Sequence, residues 1–104
     1  MTTETRPFDA AEYLDGAADQ ADLLSDALDA ADPRYIAYAL GAVARARGGI
    51  AKLAQDTGLS RQALHKALSE DGNPTLETVL RVLKALGLHM KIEEAPADPE
   101  MAET

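Results

Sequence analysis

The stretch Ile50 to Leu68, IAKLAQDTGLSRQALHKAL, leaves this chain few ways to fold. Ile50, Leu53 and Ala54 stand three and four apart, the spacing that puts apolar side chains on one helical face. Gly58 follows where that helix has to end in a left-handed residue, a conformation that glycine adopts cheaply. Leu59 is apolar and suited to plugging the angle between two helices. Ser60 is a strong N-cap candidate, because its hydroxyl accepts from the free N–H groups of the next turn. Ala63, Leu64, Ala67 and Leu68 then read as the buried face of a second helix, which leaves Arg61, Gln62, His65 and Lys66 pointing outward. This is the pattern of a DNA-binding helix-turn-helix.

A plain helical hairpin in a small bundle would use the same glycine and alanines for close packing alone. The outward set favours the nucleic-acid reading. Arg and Gln contact guanine and adenine edges bidentately, and Lys and Ser commonly hold phosphates. Ser60, Arg61 and Gln62 lie at the N-terminal end of the second helix, which has the best access to a major groove.

A net charge of −8 looks wrong for a DNA binder until it is divided along the chain. Residues 1–32 hold nine acids and one arginine, and residues 92–104 hold five acids and no base. Residues 33–91, between them, hold nine bases against four acids. The basic centre contains the helix-turn-helix and is flanked by acidic ends. At 104 residues, one domain with loose ends is expected. With no cysteine, disulfides and thiolate metal sites are excluded. No apolar run approaches the roughly 20 residues needed to span a bilayer, and the opening TTETRPFDAAEY has no signal-peptide core. A cytoplasmic protein is expected.

The rest of the chain reads as helices around that centre. Residues 1–6 carry no pattern and are expected to be disordered. Residues 7–32 form an acidic helical segment. It opens with Pro7-Phe8 and a capping-box spacing at Asp9 and Glu12, with Phe8, Tyr13 and Leu14 as apolar contacts. Its second part, Asp19 to Ala30, sets Leu23, Leu24, Ala27 and Leu28 on one face and Asp19, Asp22, Asp26 and Asp29 on the other. That stripe is either a solvated face or a surface for a basic protein. Residues 33–87 form the helix-turn-helix domain. Asp32-Pro33 starts a helix that buries Ile36, Leu40 and Val43, with a tyrosine, Tyr35 or Tyr38, at its edge. Arg45 and Arg47 sit favourably at its C-terminal end, before Gly48-Gly49 breaks the chain. After a turn-rich loop, Thr75 caps a last helix whose buried face is read as Leu76, Val79, Leu80, Leu83 and Leu86, with Gly87 ending it. In residues 88–94, Leu88, Met90 and Ile92 alternate with His89, Lys91 and Glu93, the period of a half-buried strand. No second strand is evident, so this one is expected to pair with another chain. Residues 95–104 are an acidic, proline-containing tail expected to be disordered. The fold class is therefore all-α: a small helical bundle with a helix-turn-helix, plus a C-terminal β-strand that pairs outside its own chain.

The run GLSRQALHKALSEDGNPTLETVLRVLKALGL resembles the Cro/repressor-type helix-turn-helix, also called the xenobiotic-response-element class. With PFDAAEYL and ARARGGIAKLAQDTGLSR, residues 7–93 look closer still to the antidote (antitoxin) proteins of chromosomal addiction modules. The resemblance implies two roles. Such an antidote binds and neutralises a small basic toxin of the RelE/ParE superfamily, encoded beside it. It also represses their shared promoter, as a dimer or as the toxin complex. By position, the family's recognition helix falls on Ser60 to Leu68, and its DNA-facing positions on Ser60, Arg61, Gln62, His65 and Lys66. One departure is visible: Gly48-Gly49 stands where relatives often carry a polar residue, which puts one phosphate contact in doubt. Backbone N–H groups at that helix start are able to replace it.

Bottom-up, the acidic stripe complements a basic toxin, and a two-fold dimer suits a palindromic operator of double-stranded DNA. Its recognition helices would lie roughly 34 Å apart. An enzyme is not expected. The two histidines, His65 and His89, have no metal-ligand spacing, and no phosphate-binding loop follows a strand. No cofactor or metal is expected. The competing readings are a stand-alone repressor without a toxin, and a protein-only adaptor that has lost DNA binding.

Overall fold

Asp32 and Pro33 start the helix on which the others are laid. In the computed structural model, which describes residues 16–96, the Asp32 carboxylate accepts from Arg34 N–H at 3.0 Å and Pro33 occupies the first helical turn. The described residues form five helices: α1 (Ala17–Ala30), α2 (Pro33–Ala46), α3 (Ile50–Thr57), α4 (Arg61–Ala67) and α5 (Leu76–Ala85). α1 packs on α2, and α3 packs on α2, α4 and α5.

α2 is buried well beyond the stripe read from its sequence. Leu40 and Val43 are buried as expected and Ile36 is half-buried against them, but Ala37, Ala39, Gly41, Ala42 and Ala44 are buried too. Small side chains let neighbours approach this helix from several sides. At Gly41 an added Cβ would lie 3.3 Å from the Leu68 carbonyl oxygen, so the end of α4 passes directly over α2 there. The core centred on Leu40, Val43, Leu64 and Val82 joins α2, α4 and α5, with Leu53 brought in from α3. Arg47 ties the link after α2 to the end of α5 by donating to the Leu86 carbonyl.

Two burial expectations are corrected. On α5, Val79, Val82, Leu83 and Leu86 fill the buried stripe, while Leu76 is 66% exposed and Leu80 47% exposed. A helix stripe accepts three to four residues in two turns, and α5 carries more apolar residues than that. Val82, which the sequence reading left out, displaces the two leucines. On α4, Ala63 is exposed and Ala67 half-buried, so Leu64 and Leu68 alone are fully seated.

The C-terminal segment is also corrected. The described structure is all-helical, and residues 88–96 form neither helix nor strand. The Leu88 N–H returns to the Leu83 carbonyl at 2.8 Å, closing α5. Leu88 and Met90 then pack on the core, while Ile92 is 94% exposed. The side-chain alternation is thus half right, but a ladder needs an edge, and the described residues supply none. The expected capping box at Asp9 and Glu12, the contacts of Phe8, Tyr13 and Leu14, and the tail beyond residue 96 lie outside the described residues.

Candidate nucleic-acid and partner surfaces

The turn between α3 and α4 forms as its residues dictate. Gly58 ends α3 at φ 77°, ψ 5°, and its N–H bonds the Ala54 carbonyl at 3.0 Å. Thr57 Oγ1 donates to the Leu53 carbonyl at 2.8 Å and accepts from Leu59 N–H at 3.1 Å, which fixes the chain between the helices. Leu59 packs half-buried on the core. Ser60 Oγ accepts from Ala63 N–H at 3.0 Å, capping α4. The Ser60 O–H remains a donor, the polarity that a phosphate oxygen requires.

α4 has only seven residues, too few to be stable alone, and it is held by Leu64, Leu68 and its cap. At about 100° per residue, Arg61, His65, Gln62 and Lys66 span one arc of the helix, opposite Leu64 and Ala67. All four are exposed, as is Ser60. Two neighbouring acids are paired elsewhere, Asp56 with Lys52 at 3.3 Å and Asp71 with Arg34 at 3.5 Å. The five residues singled out from the sequence form one exposed polar surface that carries Arg61 and Lys66. At the far end of α4, Gly72 admits no side chain, since an added Cβ would meet the Ala67 carbonyl oxygen at 2.1 Å.

The second surface lies on α1. Asp19, Asp22, Asp26 and Asp29 are exposed, and Asp19 in the first turn suits the helix dipole. They are not equivalent, because the Tyr35 O–H donates to Asp26 Oδ2 at 2.5 Å. This bond joins residues nine apart on different helices, and no local pattern announces it. Asp29 borders a groove floored by Leu24, Leu28, Leu83 and Met90 and closed by residues 91–96. The structure thus brings the acidic helix and the C-terminal segment to one place, with Glu93 and Glu94 on the same rim. Lys91 and Glu93, two apart, pair at 3.4 Å on the exposed side of that segment.

The bond to Asp26 raises the Tyr35 phenol above its ordinary range, with the Asp26 charge adding to the effect. The neutral phenol is the donor, so the bond's contribution is full below the ordinary phenol pKa and is lost as pH rises through the raised one. An ultraviolet titration is expected to show a tyrosine phase above the ordinary phenol range, and Tyr35→Phe should abolish that late phase. A late phase that survives Tyr35→Phe, or no late phase in the wild type, would mean that the bond does not persist in solution.

Among the described residues no helix is long and apolar enough to cross a membrane, and no three His, Asp or Glu side chains converge as a metal site requires. No solved structure gives a significant match to this chain. An uncharacterized protein of Haemophilus influenzae is 40% identical over 95 residues, covering 91% of this chain and 97% of the relative. A family model described as "Probable addiction module antidote protein" matches residues 4–94. This span holds the five described helices, the polar face of α4 and most of the groove beside α1. The chain belongs to the family of probable addiction module antidote proteins.

Proposed function

We propose that this protein is the antitoxin of a type II toxin–antitoxin module. It neutralises a small basic toxin of RelE/ParE type by direct binding, and it represses its own operon through the α3–α4 helix-turn-helix. The observation that carries the DNA half is the outward set Ser60, Arg61, Gln62, His65 and Lys66, presented together on a helix anchored by Leu64 and Leu68. Family membership carries the toxin half. In this reading the protein is a cytoplasmic, non-catalytic binder that acts on a palindromic operator as a homodimer. Its two activities use different surfaces, since none of the five α4 positions lines the groove beside α1.

The toxin surface in this reading is the acidic side of α1 with the groove it borders. Residues 91–96 close that groove and add the exposed Ile92 side chain and the Glu93 and Glu94 carboxylates to the same surface. Charge accelerates such an encounter more than it tightens the complex. Asp26 is already bound to Tyr35, so Asp22 and Asp29 are the informative positions. Lys substitutions at both are expected to slow toxin association and weaken neutralisation, with promoter binding unchanged. Neutralisation at the wild-type level would reduce the stripe to a solvated face.

The decisive experiment is co-expression with the product of the neighbouring gene, followed by affinity capture and a growth assay. Rescue from toxicity with a stable complex establishes the antitoxin. Promoter binding without any complex would leave a stand-alone repressor.

A further inference from the structure

The groove beside α1 is only partly filled by the described residues. Leu24 and Leu83 are buried in its floor, but Leu28 and Met90 are half-buried and Ile92 on its rim is 94% exposed. Its α1 wall runs from Ala21 to Asp29, about 12 Å of helix. The wall begins five residues after Gly16, where the described chain starts with extended backbone at φ −141° and ψ 170°. Fifteen residues precede that glycine, and they include Phe8, Tyr13 and Leu14. At helical spacing Ala10, Ala11 and Leu14 share one side, Phe8 and Tyr13 flank it, and Asp9 and Glu12 fall opposite. The run Pro7 to Leu14 would also measure about 12 Å as a helix. One reversal at Asp15-Gly16 would lay it beside α1, with its Pro7 end toward Leu28.

We propose that residues 7–14 dock in this groove within their own chain, with Phe8 over Leu28 and Met90 and with Leu14 nearer Ala21. An enclosed Phe or Tyr buries roughly 150–250 Å², so Phe8 and Tyr13 supply the apolar cover that the floor lacks. The loop closed is short, so its entropy cost is small. Charge decides both the direction and the segment. Arg6 is the one base before Gly16, and in the antiparallel direction it arrives at the end of the groove where Asp29, Glu93 and Glu94 stand. The other segment within reach is the tail beyond Pro96. It would bring Asp98, Glu100 and Glu103 against Glu93 and Glu94, with Met101 as its one large apolar residue. The docked segment caps the apolar floor until a partner arrives. If the groove receives the toxin, residues 7–14 are its competitor, and that consequence alone rests on the function proposed above.

The chain has no tryptophan, so Phe8→Trp in the full chain is a single fluorescent reporter of the docking. Its emission is expected to lie to the blue of the urea-unfolded chain, to resist acrylamide quenching, and to keep both properties on dilution. Ser25 lines the groove and is exposed, so Ser25→Glu puts a charge there without disturbing the core. Leu28→Glu puts one in the floor. Loss of the blue shift in Ser25→Glu, with helical circular dichroism unchanged, supports the docking. Leu28→Glu should act more strongly, and Arg6→Glu should raise quenching in part. Emission matching the unfolded chain overturns the proposal. So does a blue shift that survives both groove variants, which would seat the segment elsewhere. A shift that fades on dilution overturns it too, since the contact would then be with a second copy. Adding the neighbouring gene's product should return the reporter to solvent. A toxin that binds and leaves the reporter unmoved would defeat the groove as the toxin site while the docking stands.

Discussion

Replacing Leu64 by alanine is expected to cost about 2–5 kcal/mol of folding stability, the range for truncating a fully buried leucine. Leu64 is 0% exposed and shares the core with Leu53 of α3, Val82 of α5 and Leu68 at the end of its own helix, so no flexible surface is at hand to collapse into the void. Small domains hold only about 5–15 kcal/mol in total, so the loss is a large fraction of the whole. The effect is also local. A seven-residue helix with one cap and two seated leucines has little else to hold its axis, and its polar face loses position before the domain unfolds. Operator affinity should therefore fall even at temperatures where most molecules remain folded. Urea denaturation followed by circular dichroism gives the first quantity and DNA titration the second. Gln62→Ala on the opposite face is the control, within about 0.5 kcal/mol of wild type in stability. A Leu64→Ala midpoint indistinguishable from that control would show that α4 does not rest on this side chain.

The parts legible in the sequence were those with a local signature. Gly58 and Ser60 announced the turn because a left-handed stop and an N-cap are each single-residue decisions. The outward arc of α4 followed, since four polar residues at helical spacing leave one way to place Leu64. The parts that escaped depend on competition between distant elements. On α5, six apolar residues fit helical spacing, and only contact with α3 and the core decides that Val82 is buried and Leu76 and Leu80 are not. On α2, alanine is compatible with either side of a helix, so the enclosure of Ala37, Ala39 and Ala42 has no sequence mark. Residues 88–92 show the converse. Their alternation was genuine enough to seat Leu88 and Met90, but a strand is made by its neighbour, and pattern alone does not provide one.

For the candidate site the same division holds. Every α4 position singled out is on the surface, because an exposed face needs only local geometry. The sequence shows the acidic stripe as four aspartates at helical spacing, but only the fold shows that a tyrosine nine residues from Asp26 claims that one. The groove that joins the stripe to residues 91–96 comes from the return of the chain after α5, set by the Leu88 to Leu83 bond.

Substituting Arg61 and Gln62 together should produce the largest functional loss with the fold intact. Each is expected to cost about 1–3 kcal/mol at the operator if it reads a base edge. Added, this is roughly a hundredfold or more in affinity. Additivity is not assured, since adjacent side chains on one turn share neighbouring bases. The base-reading and phosphate roles separate by specificity and by salt. A side chain that reads a base loses affinity on the operator and little on random DNA. A phosphate contact loses it equally on both, and lowers the slope of log affinity against log salt by about one. Arg61 and Gln62 are expected to behave in the first way and Lys66 in the second, because the helix start enters the groove while the next turn leaves it. Toxin neutralisation should survive all three, since none of them borders the groove beside α1. Uniform loss on every sequence from Arg61→Ala would demote that residue to a positioning contact. Loss of neutralisation from the same variant would mean that toxin and operator compete for α4, and that the two activities exclude each other instead of residing on separate faces.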